Sequence, residues 1–339
     1  MSKYAEIVPL VKLPKSLGFF DYKIPSDLTS ILKVGHAVAV PFRKRSLVGI
    51  VFKINDKPFK AKAKIDEIEK LAFADQITNG QQLTLLHWFS EYYGVSVATT
   101  AKLFYPKIVK QRKKDEEQKL KIKKTIAKSP LKGFKAKKFL ALTQDYSWYL
   151  KLINSAKGQT LILVPDVKSA EYLASKIKLR RVVAFHSQMS AGKYFSAWDS
   201  IKNGEAEVVI GTRQAVFCPF KKLEQIIIDR EHDEGFKQWD QNPRYHARQV
   251  ALELQGIHNC KLILASYSPS VTSVDLSQKS GWKFLGSSTE ATSPNIIDMR
   301  DEFKKGNFSI FSEQLQASID EGVNKKKQAI IFVNRLGYS

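Results

Sequence analysis

The residues best suited to chemistry form one short stretch, Asp229-Arg230-Glu231-His232, directly after the apolar run Ile226 to Ile228. Three consecutive isoleucines are typical of a strand that is buried on both faces. A carboxylate at the end of such a strand lies on the edge where open α/β sheets bind ligands. In many nucleotide hydrolases an aspartate at this edge holds magnesium, and a neighbouring glutamate prepares the attacking water. The stretch therefore indicates a nucleotide site in which an arginine follows the aspartate.

The elements that would position this stretch begin after residue 138, where apolar runs alternate with helical patterns. Such alternation predicts a parallel, doubly wound sheet, with the polar motifs at the ends of its strands. The predicted strands cover residues 159–165, 181–185, 206–210, 226–228 and 261–265, and the predicted helices cover residues 167–177, 193–202 and 247–254.

The amino-terminal part shows a different pattern, with short strands predicted at residues 4–11, 19–24, 34–42 and 47–54. Arg43, Lys44 and Arg45 lie at the turn between the last two strands. Three cations at a hairpin tip suit a contact with the phosphates of a nucleic-acid backbone. An ordinary solvated hairpin tip is the equal alternative.

Residues 65–105 predict a helical module of the size of a winged-helix domain. We expect Gly94 to stop the first helix, Ser96 to Ala98 to form a short strand, and Thr99 or Thr100 to cap the next helix. Residues 107–138 then hold fourteen lysines and arginines against three acids. This run predicts a mobile linker that attracts phosphates without specificity, or else a linker that is merely solvated.

The composition fits a folded protein with a polyanionic partner. The chain has 339 residues, of which 43% are hydrophobic, and a formal net charge of +22. Nucleic acid is the commonest partner of so basic a chain, and a lysine-rich solvated surface is the alternative. Cys218 and Cys260 have neither metal-ligand spacing nor a disulfide framework. Without an apolar signal region or a run of ~18 apolar residues, the sequence predicts a soluble, cytoplasmic protein.

Several stretches resemble the primosomal protein N′ family, the PriA-type superfamily 2 replication-restart helicases. The most specific resemblance runs from residue 185 to residue 217. Phe20-Asp21-Tyr22 and Val40-Pro41-Phe42 resemble the DNA 3′-end-binding domain of that family. The family-type residues of the lobe are His186, Gly211, Thr212, Arg213, Arg244, Tyr245, His246, Arg248, Ser268, Pro269, Asn334 and Arg335.

The resemblance implies a domain order and a type of partner. Residues 1–60 would be a 3′ DNA-binding domain, 65–106 a winged-helix-like domain, 107–138 the basic linker, 139–290 a RecA-like first helicase lobe and 291–339 the start of a second, truncated lobe. The family binds branched DNA, unwinds it with ATP and magnesium, and loads primosome proteins. A nucleoid-associated location follows from the same resemblance. The expected DNA contacts are Arg43, Lys44, Arg45, Lys113, Lys114 and Arg213.

The phosphate loop of the family is not preserved. Anchored on Trp148-Tyr149-Leu150, that loop falls on residues 140–146, where Thr143, Gln144, Asp145 and Tyr146 stand and no glycine occurs. Without glycine the backbone does not readily point successive amides at a phosphate. Asp145 occupies the position of the family lysine, and its carboxylate would repel a triphosphate.

Other family features differ as well. Arg230 stands where the family has a glutamate, and a guanidinium cannot act as a base. Glu231 lies one residue further on and is expected to point elsewhere. No glutamine occurs in residues 125–138, where the family reads adenine, and the zinc-binding cysteines that would follow Gly337 are absent.

Two functions compete on these observations. The first is a PriA-like DNA-binding protein with a degenerate ATPase lobe, no catalytic residue intact, no cofactor and no metal site. The alternative is an active ATP-dependent 3′-to-5′ DNA helicase that uses ATP and Mg²⁺ at a replacement phosphate site and takes its second lobe from elsewhere. A gene product without a role is a third possibility, which detection of the expressed protein would exclude.

Overall fold

The computed structural model describes residues 3–43, 45–58, 65–106, 138–142, 146–177, 180–285 and 294–332. The chain divides into two compact units, Met1–Ser287 and Ser288–Ser339. The first unit contains an antiparallel sheet, a helical pair and a parallel sheet, and the second contains two helices within its described part. No helix of the described ranges is long and apolar enough to cross a membrane.

The amino-terminal sheet is antiparallel, and its strand order is β2-β1-β4-β3-β5. Alternate residues of these strands point inward, because side chains in a strand alternate between its two faces. The inward set forms a small core with Ala5, Ile7, Val38 and Val51 at its centre. The strands are β1 (Tyr4–Pro9), β2 (Phe20–Lys23), β3 (Ala37–Phe42), β4 (Arg45–Asn55) and β5 (Lys70–Leu71).

The basic hairpin between β3 and β4 differs in one respect from the prediction. Arg45 is not in the turn, because it is the first residue of β4 and pairs with Phe42. Arg43 has φ of +55, the left-handed conformation that two-residue hairpin turns require. Lys44 lies outside the described residues. Arg43 and Arg45 are both exposed.

The helical pair consists of α1 (Gly80–Tyr92) and α2 (Val97–Phe104). Gly94, with φ of +65, follows the end of α1 as predicted. The prediction of a strand at Ser96 to Ala98 is wrong, because the Ser96 side chain accepts a hydrogen bond from the Thr99 amide and caps α2. The prediction of helix for residues 65–79 is also wrong, because β5 pairs with β3 at the edge of the antiparallel sheet and Glu67 forms a parallel bridge with Lys23 of β2.

The parallel sheet confirms the predicted fold class. Its strand order is β12-β6-β11-β10-β7-β9-β8, and every pair along it is parallel. The strands are β6 (Lys138–Ala141), β7 (Gln159–Leu163), β8 (Val182–Phe185), β9 (Val208–Gly211), β10 (Leu223–Asp229), β11 (Lys261–Ala265) and β12 (Lys283–Leu285). The helices are α3 (Tyr146–Ser155), α4 (Val167–Lys176), α5 (Ala191–Asn203), α6 (Ala247–His258) and α7 (Val271–Lys279).

The three isoleucines of β10 are fully buried and face both sides of the parallel sheet. Ile227 belongs to one apolar cluster, and Ile226 and Ile228 belong to another. The second cluster continues without interruption into α1 and α2, through residues such as Phe89 and Phe104. We call it the shared core, because it holds side chains of both sheets and of the helical pair.

The second unit is described from residue 294 to residue 332. Its helices are α8 (Met299–Lys304) and α9 (Glu313–Asn324), capped by Asp298 and Ser312. The Glu302 carboxylate accepts hydrogen bonds from the Glu313 amide at 2.8 Å and from the Asn307 side chain at 2.9 Å, which ties the two helices together. Asn334 and Arg335 lie outside the described residues.

Candidate functional site

Asp229 is the last residue of β10 and is almost fully buried. The Tyr149 hydroxyl, on α3, donates a hydrogen bond of 2.6 Å to Oδ1 of Asp229. Burial raises the pKa of the Asp229 carboxyl, and the Tyr149 hydrogen bond and the charge of Arg230 offset part of that rise. The carboxylate at the strand end is therefore hydrogen-bonded within the protein.

Arg230 follows with φ of +52, a left-handed conformation that is uncommon for any residue with a side chain. Its guanidinium lies 3.2 Å from Oδ2 of Asp166 and donates a hydrogen bond of 2.5 Å to the Ser169 hydroxyl. Its Nε lies 3.7 Å from Oδ2 of Asp229. Arg230 thus places one positive charge between two carboxylates at the edge of the sheet.

Glu231 is fully buried and faces away from the end of β10. Its carboxylate forms a short ion pair with Arg248 of α6. It also accepts hydrogen bonds from the Ser270 amide at 2.6 Å and from the Ser273 hydroxyl at 2.6 Å. The backbone amide of Glu231 donates to the carbonyl of Ala265 at 3.1 Å. These contacts fasten the loop after β10 to the start of α7.

His232 completes the acidic stretch. Its Nδ1 and the Ser266 hydroxyl are hydrogen-bonded at 2.7 Å. The Ser268 amide donates to the same hydroxyl at 2.9 Å, so the family-type Ser268-Pro269 segment lies beside the loop after β10. The two loops that follow the neighbouring strands β10 and β11 are therefore joined by side-chain hydrogen bonds.

The carboxylates at this edge already have partners within the protein. A divalent cation needs carboxylate oxygens free to coordinate it, and here Oδ1 of Asp229 accepts from Tyr149 while a guanidinium faces Oδ2. The Glu231 carboxylate is held by Arg248, Ser270 and Ser273. The connection from β6 to α3 contains Thr143, Gln144 and Asp145, which lie outside the described residues, as does the side chain of Tyr146.

A cleft of about 660 Å³ opens beside this edge, at the carboxyl ends of β7, β8 and β9. Asp166, whose side chain caps α4, forms part of one wall. Although burial alone would raise it, hydrogen bonds from Ser169 and the charge of Arg230 hold the pKa of Asp166 below its usual value. The remaining lining residues are Pro165, Val167, Lys168, Glu171, Ser187, Gln188, Thr212, Arg213 and Gln214.

Several of the family-type residues lie at or near this cleft. Arg213 lines the cleft and lies 3.9 Å from the Asp240 carboxylate. His186 is buried, with its Nε2 3.6 Å from the Glu171 carboxylate. Gly211 ends β9, and an added Cβ there would lie 2.5 Å from the carbonyl oxygen of Phe185, which explains the glycine.

Behind the cleft, Tyr245 is fully buried and His246 caps α6. The His246 backbone amide donates to the Tyr93 hydroxyl at 3.2 Å, which joins α6 to α1. Arg244 is exposed, and its carbonyl accepts from Lys237 at 2.8 Å. The structure therefore distributes these family-type residues between the shared core and the surface.

A second, smaller cleft of about 150 Å³ lies in the amino-terminal half, where Glu6 and Asp21 are directly opposite each other on β1 and β2. Lys15 also lines it. Asp21 belongs to the Phe20-Asp21-Tyr22 stretch singled out in the sequence. Two carboxylates and one ammonium in a small cleft suit a ligand group that donates hydrogen bonds.

Of the predicted DNA contacts, Arg43, Arg45 and Arg213 are described, and Lys44, Lys113 and Lys114 lie outside the described residues. Three residues of the site were not singled out in the sequence: Tyr149, Asp166 and Ser169. Asp166 carried a usable signal, because it follows the apolar run of β7 just as Asp229 follows that of β10. Tyr149 lies on a helix 80 residues from its partner, and no local pattern marks that contact.

Comparison with known proteins gives a consistent result. Residues 9–106 match the family model of the PriA 3′DNA-binding domain. A replication restart protein PriA from Rickettsia prowazekii is 30% identical over 361 residues, which cover 97% of this chain and 54% of that protein. The Bacillus subtilis protein of the same name is 35% identical over 202 residues, covering 56% of this chain and 25% of that protein.

The matched region thus spans about half the length of the rickettsial relative and about a quarter of the length of the Bacillus subtilis protein. Among solved structures, a DEAD box protein from Methanococcus jannaschii covers 56% of this chain and is itself covered to 67%, at 11% identity and a TM-score of 0.34. The fold class therefore rests on the strand order of this chain and not on that likeness.

Proposed function

This chain belongs to the PriA family, and we propose that it is a DNA-binding protein of replication restart whose helicase-type lobe does not hydrolyse ATP. Its substrate would be branched or forked DNA with a 3′ end at the branch, and primosome proteins would be its partners. The observation that carries the proposal is the contrast between a matched DNA-binding domain and a strand end whose aspartate faces a guanidinium.

DNA binding is supported by charge as well as by the family match. The chain carries a net charge of +22, and its amino-terminal hairpin exposes Arg43 and Arg45 within the residues that match the 3′DNA-binding domain. Cations on a hairpin tip reach backbone phosphates without needing a particular base sequence. Such contacts release counterions and weaken as salt rises.

The small cleft at Glu6 and Asp21 supports recognition of a 3′ end. A terminal 3′ hydroxyl donates a hydrogen bond, which a carboxylate accepts. A terminal phosphate in the same place would face two carboxylates and only one ammonium, that of Lys15, so the net effect would be repulsion. The cleft and the basic hairpin belong to the same antiparallel sheet, so an end and its adjoining backbone would meet one rigid surface.

The absence of hydrolysis is supported by two side chains. Arg230 cannot accept a proton from water, since a guanidinium stays protonated. Glu231, the nearest carboxylate in sequence, is committed to Arg248, Ser270 and Ser273 in a buried cluster. Retaining the lobe would then provide a scaffold, or a further surface for DNA or protein.

The test is binding of the full chain to a labelled fork over a series of salt concentrations. The variant Arg43→Gln/Lys44→Gln/Arg45→Gln should bind more weakly, and its salt slope should fall by up to ~3, about one for each phosphate that is no longer neutralised. The matched control is Lys325→Gln/Lys326→Gln/Lys327→Gln, which removes the same charge from the second unit. Unchanged binding by the hairpin variant, or an equal reduction in the control, would overturn the hairpin assignment.

DNA-stimulated release of phosphate from ATP is the second measurement. We expect no turnover above a blank without protein. Turnover that disappears in Asp229→Ala would show an active ATPase and would replace this proposal with the helicase alternative.

A further inference from the structure

Arg230 lies where three elements of the lobe meet. Through Asp166 and Ser169 it contacts the start of α4, and through Asp229 it lies beside the end of β10. Asp229 in turn accepts the hydrogen bond from Tyr149 of α3. One guanidinium therefore joins the strand end to two helices.

The charges at this edge would not balance without that guanidinium. Asp229 is almost fully buried, and Asp166 lies on the other side of Arg230. Two carboxylates facing each other across a partly buried site repel, and a positive charge between them removes the repulsion. At many ligand-binding strand ends a bound metal ion supplies that positive charge.

The link also reaches the large cleft. Asp166 caps α4 by accepting from the Ser169 amide at 2.8 Å, and Pro165 to Lys168 line one wall of the cleft. Because Arg230 donates hydrogen bonds to both Asp166 and Ser169, it connects the first turn of α4 to the end of β10. The left-handed backbone of Arg230 is strained for a residue with a side chain, so surrounding contacts must hold it in place.

We propose that the Arg230 guanidinium is a built-in cation that takes the place of a metal ion at this edge and holds the cleft wall in one conformation without metal or nucleotide. This inference goes beyond the proposed function, because it assigns a structural role to the residue that replaced the acid. The structural role of Arg230 does not depend on the proposed loss of ATP hydrolysis. Only the view of this edge as a former nucleotide site does. Its test needs neither DNA nor ATP.

The test compares thermal unfolding of the full chain in EDTA and in MgCl₂. Wild-type protein should melt at the same temperature in both. Arg230→Gln should melt lower in both by roughly 2–5 °C, since it removes the cation and adds no negative charge to attract magnesium. Arg230→Glu should melt lower still in EDTA, because three carboxylates then repel one another. In MgCl₂ it should recover part of the lost melting temperature, because a bound magnesium ion relieves that repulsion.

Terbium luminescence supplies a second readout. Trp148 and Tyr149 lie on α3 beside the site, and aromatic side chains this close transfer excitation energy to a bound terbium ion, which then emits. Arg230→Glu should show sensitised emission that magnesium displaces, and wild-type protein should not. The matched control is Lys279→Glu, which makes the same charge change at an exposed pair with Asp275 in the same lobe. It should behave like wild type.

Three results would overturn the proposal. Wild-type protein stabilised by magnesium would mean that the edge takes a metal despite Arg230. An unchanged melting temperature in Arg230→Gln would mean that the guanidinium holds nothing. Arg230→Glu that is destabilised without any recovery in MgCl₂ and without terbium emission would mean that the site was never a substitute for a cation.

Discussion

Phe217 packs against Phe104 with ring centroids 5.0 Å apart, across the boundary between the lobe and α2. It also touches Phe89 and Tyr245 at 5.5 and 5.1 Å, and its carbonyl accepts from Gln82 of α1 at 2.9 Å. Phe217, which lies six residues after the end of β9, thus connects the lobe to both α1 and α2 within the shared core.

Phe217→Ala should destabilise both halves of the first unit together. Truncating so buried an aromatic ring costs about 3–5 kcal/mol. Chemical denaturation monitored by tryptophan fluorescence measures the destabilisation, and hydrogen exchange should show faster exchange in both α1 and β10. Phe308→Ala, at an exposed ring of the second unit, should leave stability nearly unchanged. Faster exchange confined to the lobe would contradict a shared core.

Breaking the Glu231–Arg248 pair should be costly. Arg248→Met leaves the buried Glu231 carboxylate without its charge partner, and removing one member of a buried pair costs about 3–5 kcal/mol. The free energy of unfolding is the measurement. Lys279→Met, at the exposed pair with Asp275, should change it by no more than about 0.5 kcal/mol. Equal effects of the two variants would mean that burial does not set the cost.

The burial of the Asp229 carboxyl predicts a pH effect on stability. Because burial raises the Asp229 pKa in the folded protein, folding disfavours the ionised form. Asp229 therefore reduces stability as pH rises from the ordinary aspartate pKa through the raised value. Asp229→Asn should increase the free energy of unfolding at neutral pH and remove that dependence. Tyr149→Phe should decrease it by about 1–3 kcal/mol, since the buried Oδ1 of Asp229 then loses its hydrogen bond from the tyrosine hydroxyl.

Two histidines predict a second pH effect, of opposite sign. Burial lowers the pKa of His246 to about 4, with help from the charges of Arg248 and Lys237, and burial lowers that of His258 to about 4 as well. The unfolded chain then binds more protons between pH ~6.5 and ~4. Stability should fall as pH falls through that window. His258→Gln should reduce the slope by up to one proton, and an unaltered slope would contradict the assignment.

The small cleft predicts a preference for the chemistry of the DNA end. Wild-type protein should bind a fork with a 3′ hydroxyl more tightly than one with a 3′ phosphate. Asp21→Asn should narrow the difference by about tenfold, since it removes one hydrogen bond to a charged group and weakens the repulsion of phosphate. Asp27→Asn, an exposed carboxylate that does not line the cleft, serves as the control.

Local patterns predicted the strands that end at the site but not the contacts between them. The run Ile226 to Ile228 gave β10 and its two buried faces, because side-chain alternation is a local property. β6 and β12 were missed, since each is short and carries lysine at its start. The local pattern predicts a strand at Ser96, because the capping hydrogen bond from the Thr99 amide depends on side-chain geometry that the pattern does not contain.

The pairs that define the site join residues far apart in sequence. Arg230 and Asp166 are 64 residues apart, and Tyr149 and Asp229 are 80 apart. No spacing rule links such partners before the sheet order is known. The sequence did indicate an arginine after Asp229, where the family resemblance leads one to expect an acid. The structure adds the carboxylates that this arginine contacts, Asp166 and Asp229.

The shared core also bears on how such a chain can change over generations. A substitution at the partly exposed Arg230 changes contacts with Asp166, Ser169 and Asp229 and does not involve the packed rings of Phe89, Phe104 and Phe217. Deleting the lobe would instead strip the apolar faces of α1 and α2. Selection on the amino-terminal half alone would therefore be enough to keep the residues of the lobe that pack against α1 and α2.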